Sequence, residues 1–147
     1  TGSLSFISPL ISIDNGWSWA QLQSLTRFYP FLALNWDQSS VGVNACVEVQ
    51  ATMVNDRGDL VSSLFDETFI LSINSSRTFS LGTDYSFYTD SSCTTAFTDP
   101  SNQLRVTAGQ STQTFWVQFG TTAPSSSEFF RTMNSLHTPA TFDSPPF

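Results

Sequence analysis

The stretch Cys46–Gly58, "CVEVQATMVNDRG", decides how the rest of the chain is read. Val47, Val49, Ala51 and Met53 occupy every second position, with Glu48, Gln50 and Thr52 between them. Successive side chains of an extended strand point to opposite faces, so this alternation predicts a strand with one apolar and one wet face. Asn55-Asp56-Arg57-Gly58 supplies the turn chemistry that ends it.

The same period recurs downstream. Phe69, Leu71 and Ile73 precede Asn74-Ser75-Ser76; Leu104, Val106 and Ala108 stop at Gly109; Phe115, Val117 and Phe119 stop at Gly120. Four such segments, spaced by Gly, Asn, Asp and Ser, predict an all-β fold, an antiparallel β-sandwich. Helical signal is confined to Ala20–Tyr29, where Leu22, Leu25 and Tyr29 fall near one helical face ahead of Pro30, so at most one short helix is expected. The 147 residues suit one domain. Its expected parts are an N-terminal extension with a hairpin (1–43), a sandwich core (44–120) and a C-terminal segment (121–147). That last segment carries four of the seven prolines, three of them in Thr138–Phe147, and is expected to pack on the body or on a neighbouring chain.

Composition narrows the function classes. There are twelve acidic residues, five arginines and no lysine, for a net charge of -7. Binding to a phosphate backbone needs clustered cations that release counterions, so neither nucleic acid nor an anionic membrane surface is an expected partner. No apolar run approaches the ~20 residues of a membrane helix, so no membrane insertion is expected. No basic stretch followed by an apolar run opens the chain, so no secretory leader is expected within these residues. Charged residues are only 12% while Ser and Thr abound, a mix common in exported β-proteins. Cys46 and Cys93 lie 47 positions apart, which fits no compact zinc pattern. One disulfide, worth about 2–4 kcal/mol and tying opposing layers together, is the simpler reading; two free buried thiols are the other. The disulfide implies an extracellular or cell-surface location.

From Cys46 onward the order of features resembles a bacterial immunoglobulin-like module of exported surface, adhesin or fibre proteins. The residues that carry the resemblance are Cys46-Val47-Glu48-Val49, the Asp56-Arg57-Gly58 turn, Thr68-Phe69-Ile70-Leu71, Ser92-Cys93-Thr94 and "RVTAGQSTQTFWVQF" (Arg105–Phe119). The acid and glycine of the turn stand one position closer than in the family pattern, unless Asn55 takes the acid's role. The strand that normally follows the last one is not evident after Gly120. The resemblance spans about half the chain and implies an immunoglobulin-like sandwich with a binding or structural role.

Candidate ligand-contact residues are Trp17, Trp19, Trp36, Tyr85, Tyr88 and Trp116. In "ISIDNGWSWA" (Ile11–Ala20), a two-residue Asn15-Gly16 loop puts Trp17 and Trp19 on a polar face with Ser12 and Asp14. A three-residue loop shifts the register and turns both rings onto the apolar face with Ile11 and Ile13. Both turns are open. Trp116 shares parity with Thr114 and Gln118 and is expected to face outward, under a covering segment or a ligand. Trp36 sits at a strand end beside Asn35 and Asp37, where a loop-end pocket is expected. Tyr85 and Tyr88 lie within "DYSFYTD" (Asp84–Asp90) between acids. Aromatic faces beside amides and carboxylates suit the C–H faces and hydroxyls of sugars.

Arg57-Gly58-Asp59 spells an integrin-binding tripeptide if an exposed turn holds its two charges apart, and is otherwise ordinary turn chemistry. Nothing resembles a hydrolase nucleophile, and the single histidine, His137, has no catalytic partner motif near it. No enzyme activity, cofactor or metal is expected. The expected function is a binding module of a surface adhesin or fibre that recognises a glycan or a surface protein. The alternatives are a structural spacer or oligomerising fibre segment, and a phage or viral fibre or capsid domain. A homo-oligomer, trimer or dimer, stays open, because 14% aromatic residues is much for one small core to hide.

Overall fold

The structure, a computed structural model, describes residues 30–98, 101–136 and 141–147. Eight strands follow in chain order: β1 (Phe31–Trp36), β2 (Cys46–Val54), β3 (Glu67–Asn74), β4 (Tyr85–Tyr88), β5 (Gln103–Val106), β6 (Thr112–Phe119), β7 (Phe129–Asn134) and β8 (Thr141–Pro146). They make two four-stranded sheets, β1-β2-β6-β4 and β5-β3-β7-β8, and every strand pairing is antiparallel. The expected all-β sandwich is what the chain adopts. A single 3-10 turn, Gln38–Ser40, is the one helical element among the described residues, and none of their helices is long and apolar enough to cross a membrane. The Ile11–Ala20 hairpin and the Ala20–Tyr29 segment, with Trp17 and Trp19, lie outside the described residues.

Strand neighbours follow the immunoglobulin plan: β1-β2-β6-β4 stand in the places of A-B-E-D, and β5-β3-β7-β8 in those of C′-C-F-G. The chain departs from that plan once. It visits the D place (β4) before the C′ place (β5), so all five connections from β2 through to β7 cross between the sheets.

Parity explains the core. Val47, Val49, Ala51 and Met53 are buried, as are Phe69, Leu71 and Ile73 on β3 and Phe115, Val117 and Phe119 on β6. Residues between them on each strand face away from the core. The Leu104–Ala108 run ends sooner than expected: β5 stops at Val106, and Ala108 is exposed, its N–H donating to Asp66 Oδ1 at 2.8 Å.

The C-terminal segment lies against the body as two strands, β7, paired on both sides by β3 and β8, and β8 itself at the sheet edge. The inward positions of β7 are Phe130, Thr132 and Asn134. Two polar residues in three hide the strand from an apolar period. Their cost is removed by hydrogen bonds from β7 to the opposite sheet and to its approach: Thr132 Oγ1 donates to the Leu32 carbonyl at 2.9 Å, and Asn134 Nδ2 to the Pro30 carbonyl at 3.3 Å. Asn134 Nδ2 also donates to Glu67 Oε1 at 3.0 Å, and Ser63 Oγ to Glu67 Oε2 at 2.7 Å. β8 ends in Pro145-Pro146, tolerable because it is an edge strand.

Glu128, just before β7, is only 1% exposed. Arg77 grips it with two donors, one of them Nη2 to Oε1 at 2.9 Å; Ser75 Oγ donates at 2.6 Å and the Ser125 N–H at 2.9 Å. These bonds pull its carboxyl down to about 2, the Arg77 hydrogen bonds contributing most. A depressed carboxylate stabilises the fold above its unfolded pKa near 4.5, and that contribution drains away as pH falls toward 2. E128Q should therefore cost on the order of 2–3 kcal/mol at pH 7 in urea unfolding, and should lose less further stability than the parent between pH 5 and pH 3.

A candidate ligand-binding face

The outward side of the β1-β2-β6-β4 sheet is where candidate residues converge. Register places Glu48 opposite Trp116 and Trp116 opposite Tyr88, one row across three strands. The row below it in β1, β2 and β6 is Asn35, Gln50 and Thr114; the row above in β2, β6 and β4 is Cys46, Gln118 and Ser86. Directly opposed side chains in an antiparallel pair stand about 5 Å apart at Cβ, so the Trp116 indole is flanked by a carboxylate on one side and a phenol on the other. Glu48 and Gln50 are exposed, whereas Trp116 and Tyr88 are half-buried.

Beside this row, over β1 and β2, opens a cavity of about 480 Å³. Asn35, Trp36, Gln50, Glu48 and Cys46 line it from the sheet, and Asp37 and Ser40 from the bend that follows β1. Asp37 shapes that bend. Its Oδ1 accepts from the Ser39 N–H at 2.9 Å and from Ser39 Oγ at 2.7 Å, and these two bonds hold its carboxyl below the usual range. The cavity thus carries acidic groups and amides, and no cation.

The six candidate residues fall into three groups. Trp116 faces outward as its parity implies, and Tyr88 stands in the same row. Trp36 lines the cavity but is not a free platform: it shares parity with inward Leu32 and Leu34, and its ring packs edge-on against Phe130 and tilted against Phe147, both at 5.0 Å between centroids. Its Nε1–H is buried without a hydrogen-bond partner among the described residues. Tyr85 is corrected outright. It points into the core, 6% exposed, stacked on Phe79 at 5.4 Å, and its hydroxyl accepts from the Ile73 N–H at 3.3 Å. Burial pushes its phenol pKa up. Glu48, Gln50 and Asn35 were not among the candidates, although their alternation with Val47 and Val49 already placed Glu48 and Gln50 on the wet face.

Cys46 and Cys93 are bonded, as the sequence suggested, but the bond does not join opposing layers. Cys46 has the outward parity of Glu48, and Cys93 lies in the loop after β4, a strand of the same sheet. Adjacent strands are ~4.8 Å apart, so β2 and β4, separated by β6, are about 10 Å apart. The two Cα atoms are 5.8 Å apart, so the loop must lean from β4 over the outer face of β6 to meet Cys46. The disulfide is a strap across the face rather than a bolt through the core. Asp90 braces the same loop, accepting from the Thr95 N–H at 2.6 Å, from Thr94 Oγ1 at 2.7 Å and from the Thr94 and Ser92 N–H groups. Those bonds, Thr94's hydroxyl foremost, hold its carboxyl below the usual range.

Comparisons with family models, with curated proteins and with solved structures return no match for this chain. The face is therefore read from its own chemistry.

The Arg57-Gly58-Asp59 turn does not hold its charges apart. Arg57 Nε lies 3.6 Å from Asp59 Oδ2, and the turn is built by Asn55, whose Oδ1 accepts from the N–H groups of Arg57 and Asp59, both at 2.9 Å. Gly58 sits at φ 85°, where a side chain is strained.

Because the strap lies outside the core, C46S/C93S should keep a β-sheet circular dichroism spectrum while losing about 2–4 kcal/mol of stability. Hydrogen exchange should quicken at residues 89–97 and stay slow in β2 and β6.

Proposed function

We propose that this chain is a non-catalytic binding module of an exported surface or fibre protein, holding a glycan on the outward face of the β1-β2-β6-β4 sheet. The observation that carries the reading is the row Glu48–Trp116–Tyr88 laid beside the cavity of Asn35, Asp37 and Gln50. Sugar rings present flat C–H faces to an indole or phenol, while carboxylates and amides take their hydroxyls. A disulfide-strapped loop limits how far such a face rearranges, which lowers the ordering cost of binding. The disulfide also supports an oxidising, extracellular setting. Affinity at one shallow face is modest, and display of several copies on one surface raises it.

A different observation favours a second reading, the oligomerising segment. Leu64, Phe65 and Leu136 are 86%, 65% and 72% exposed. The bonds of Ser63 and Asn134 to Glu67, and of the Leu136 N–H to Asn134 Oδ1, bring these residues to one end of the sandwich. Sedimentation velocity separates the readings: L64S/F65S should leave the mass unchanged if the chain acts alone, and lower it if that end joins copies.

The glycan reading is tested on a glycan array with W116A and Y85F beside the parent. W116A should lower binding by about 1–3 kcal/mol of lost stacking, with little change in stability. Y85F should bind as the parent does and unfold about 1 kcal/mol more easily, having lost the bond from Ile73. Equal binding by W116A and the parent removes this face from the reading.

A further inference from the structure

The charge pattern around the face says which saccharides it can accept. Asp37 and Glu48 both line the cavity, one on the bend after β1 and one on β2, and the other polar side chains lining it are Asn35, Gln50 and Ser40. Each of the four described arginines is committed elsewhere. Arg57 pairs with Asp59, Arg77 with Glu128, Arg105 with Asp66 and Arg131 with Asp143. Arg105 and Arg131 lie on β5 and β7 of the other sheet, and the chain has no lysine. An anionic sugar entering this cavity meets two carboxylates and no described counter-charge. A cationic one meets both.

An aromatic ring beside the cavity acts in the same sense: Trp116 stands opposite Glu48 on the next strand. An ammonium group near an indole face is attracted by the ring quadrupole, and more strongly when partly desolvated. A carboxylate adds a charge-assisted hydrogen bond, about twice as strong as a neutral one. A neutral saccharide uses the stacking surface alone. An amine-bearing one also satisfies the acids.

Resting on the glycan-binding reading, we propose that this face selects saccharides with free amino groups, of the glucosamine class, over their N-acetylated and acidic counterparts. Asp37 and Glu48 receive the ammonium, Gln50 and Asn35 the hydroxyls, and Trp116 the ring face.

The test is calorimetric titration of the whole disulfide-bonded chain with three probes of equal length: a β-1,4-linked glucosamine tetramer, the N-acetylglucosamine tetramer and a galacturonate tetramer. The glucosamine tetramer should bind about tenfold more tightly than the N-acetylated one, and the galacturonate tetramer should not bind. E48Q, an exposed change that leaves the core untouched, should remove most of that preference, and D37N the remainder; thermal melts of both variants establish that they fold. Raising salt should weaken the glucosamine tetramer and leave the N-acetylated one unchanged. If the first two probes bind alike, and both depend on Trp116, the amine selectivity falls and the glycan reading stands. If none of the three binds the parent and the glycan array is also blank, both fall.

Discussion

The ring of Phe130 is the contact on which the two halves of this molecule depend. It projects from β7 in one sheet and meets three strands of the other: Trp36 of β1 at 5.0 Å, and Phe87 of β4 and Phe115 of β6 both at 6.5 Å. Phe147, the last residue, adds a fourth contact at 4.8 Å and itself touches Trp36 and Phe119. Most of these pairs are edge-on or tilted, the arrangements in which the positive rim of one ring meets the negative face of the next. Six aromatic residues meet in this cluster, Trp36 among them, and Trp36 is also one of the residues lining the cavity.

The two ends of the sandwich are held by polar groups rather than by further rings. At one end Glu67 gathers Ser63 and Asn134, and Asn134 reaches the Pro30 carbonyl; at the other Glu128 gathers Arg77, Ser75 and Ser125. Both acids bind loop to strand at places where backbone leaves the sheet and apolar packing thins. The two outer faces differ accordingly. One carries Arg131, whose Nε and Nη2 donate to Asp143, and Arg105 bound to Asp66. The other carries acids, amides and aromatic rings with no basic residue among those described. That asymmetry separates a face crossed by ion pairs from one whose described residues make none.

Much of this was legible in the chain. The alternation in Val47–Met53, Phe69–Ile73 and Phe115–Phe119 placed three central strands and their inward faces, and Trp116 came out on the predicted side. Tyr85 did not, although the same rule separates it from Tyr88: Tyr85 and Phe87 share one parity and Tyr88 has the other. Reading the four residues as a cluster between acids concealed a short strand. β7 was concealed by physics rather than by oversight. Thr132 and Asn134 are tolerable inside only because Leu32 and Pro30 offer carbonyls across the gap. No local pattern reports an acceptor about a hundred residues away along the chain.

By itself, the order of residues determined the fold class, the inward and outward faces of the main strands, the turn at Asn55–Asp59 and the absence of lysine. These follow from steric and hydropathic rules that act over two to five neighbouring residues. Only the tertiary structure decided which strands lie side by side, that the Cys46–Cys93 bond straps one face instead of joining two layers, and that Glu48, Trp116 and Tyr88 share a row. Such outcomes depend on register between distant segments. Each strand offers the same backbone donors and acceptors to any partner, so the choice among partners rests on how the rings and buried polar groups of the whole core fit at once.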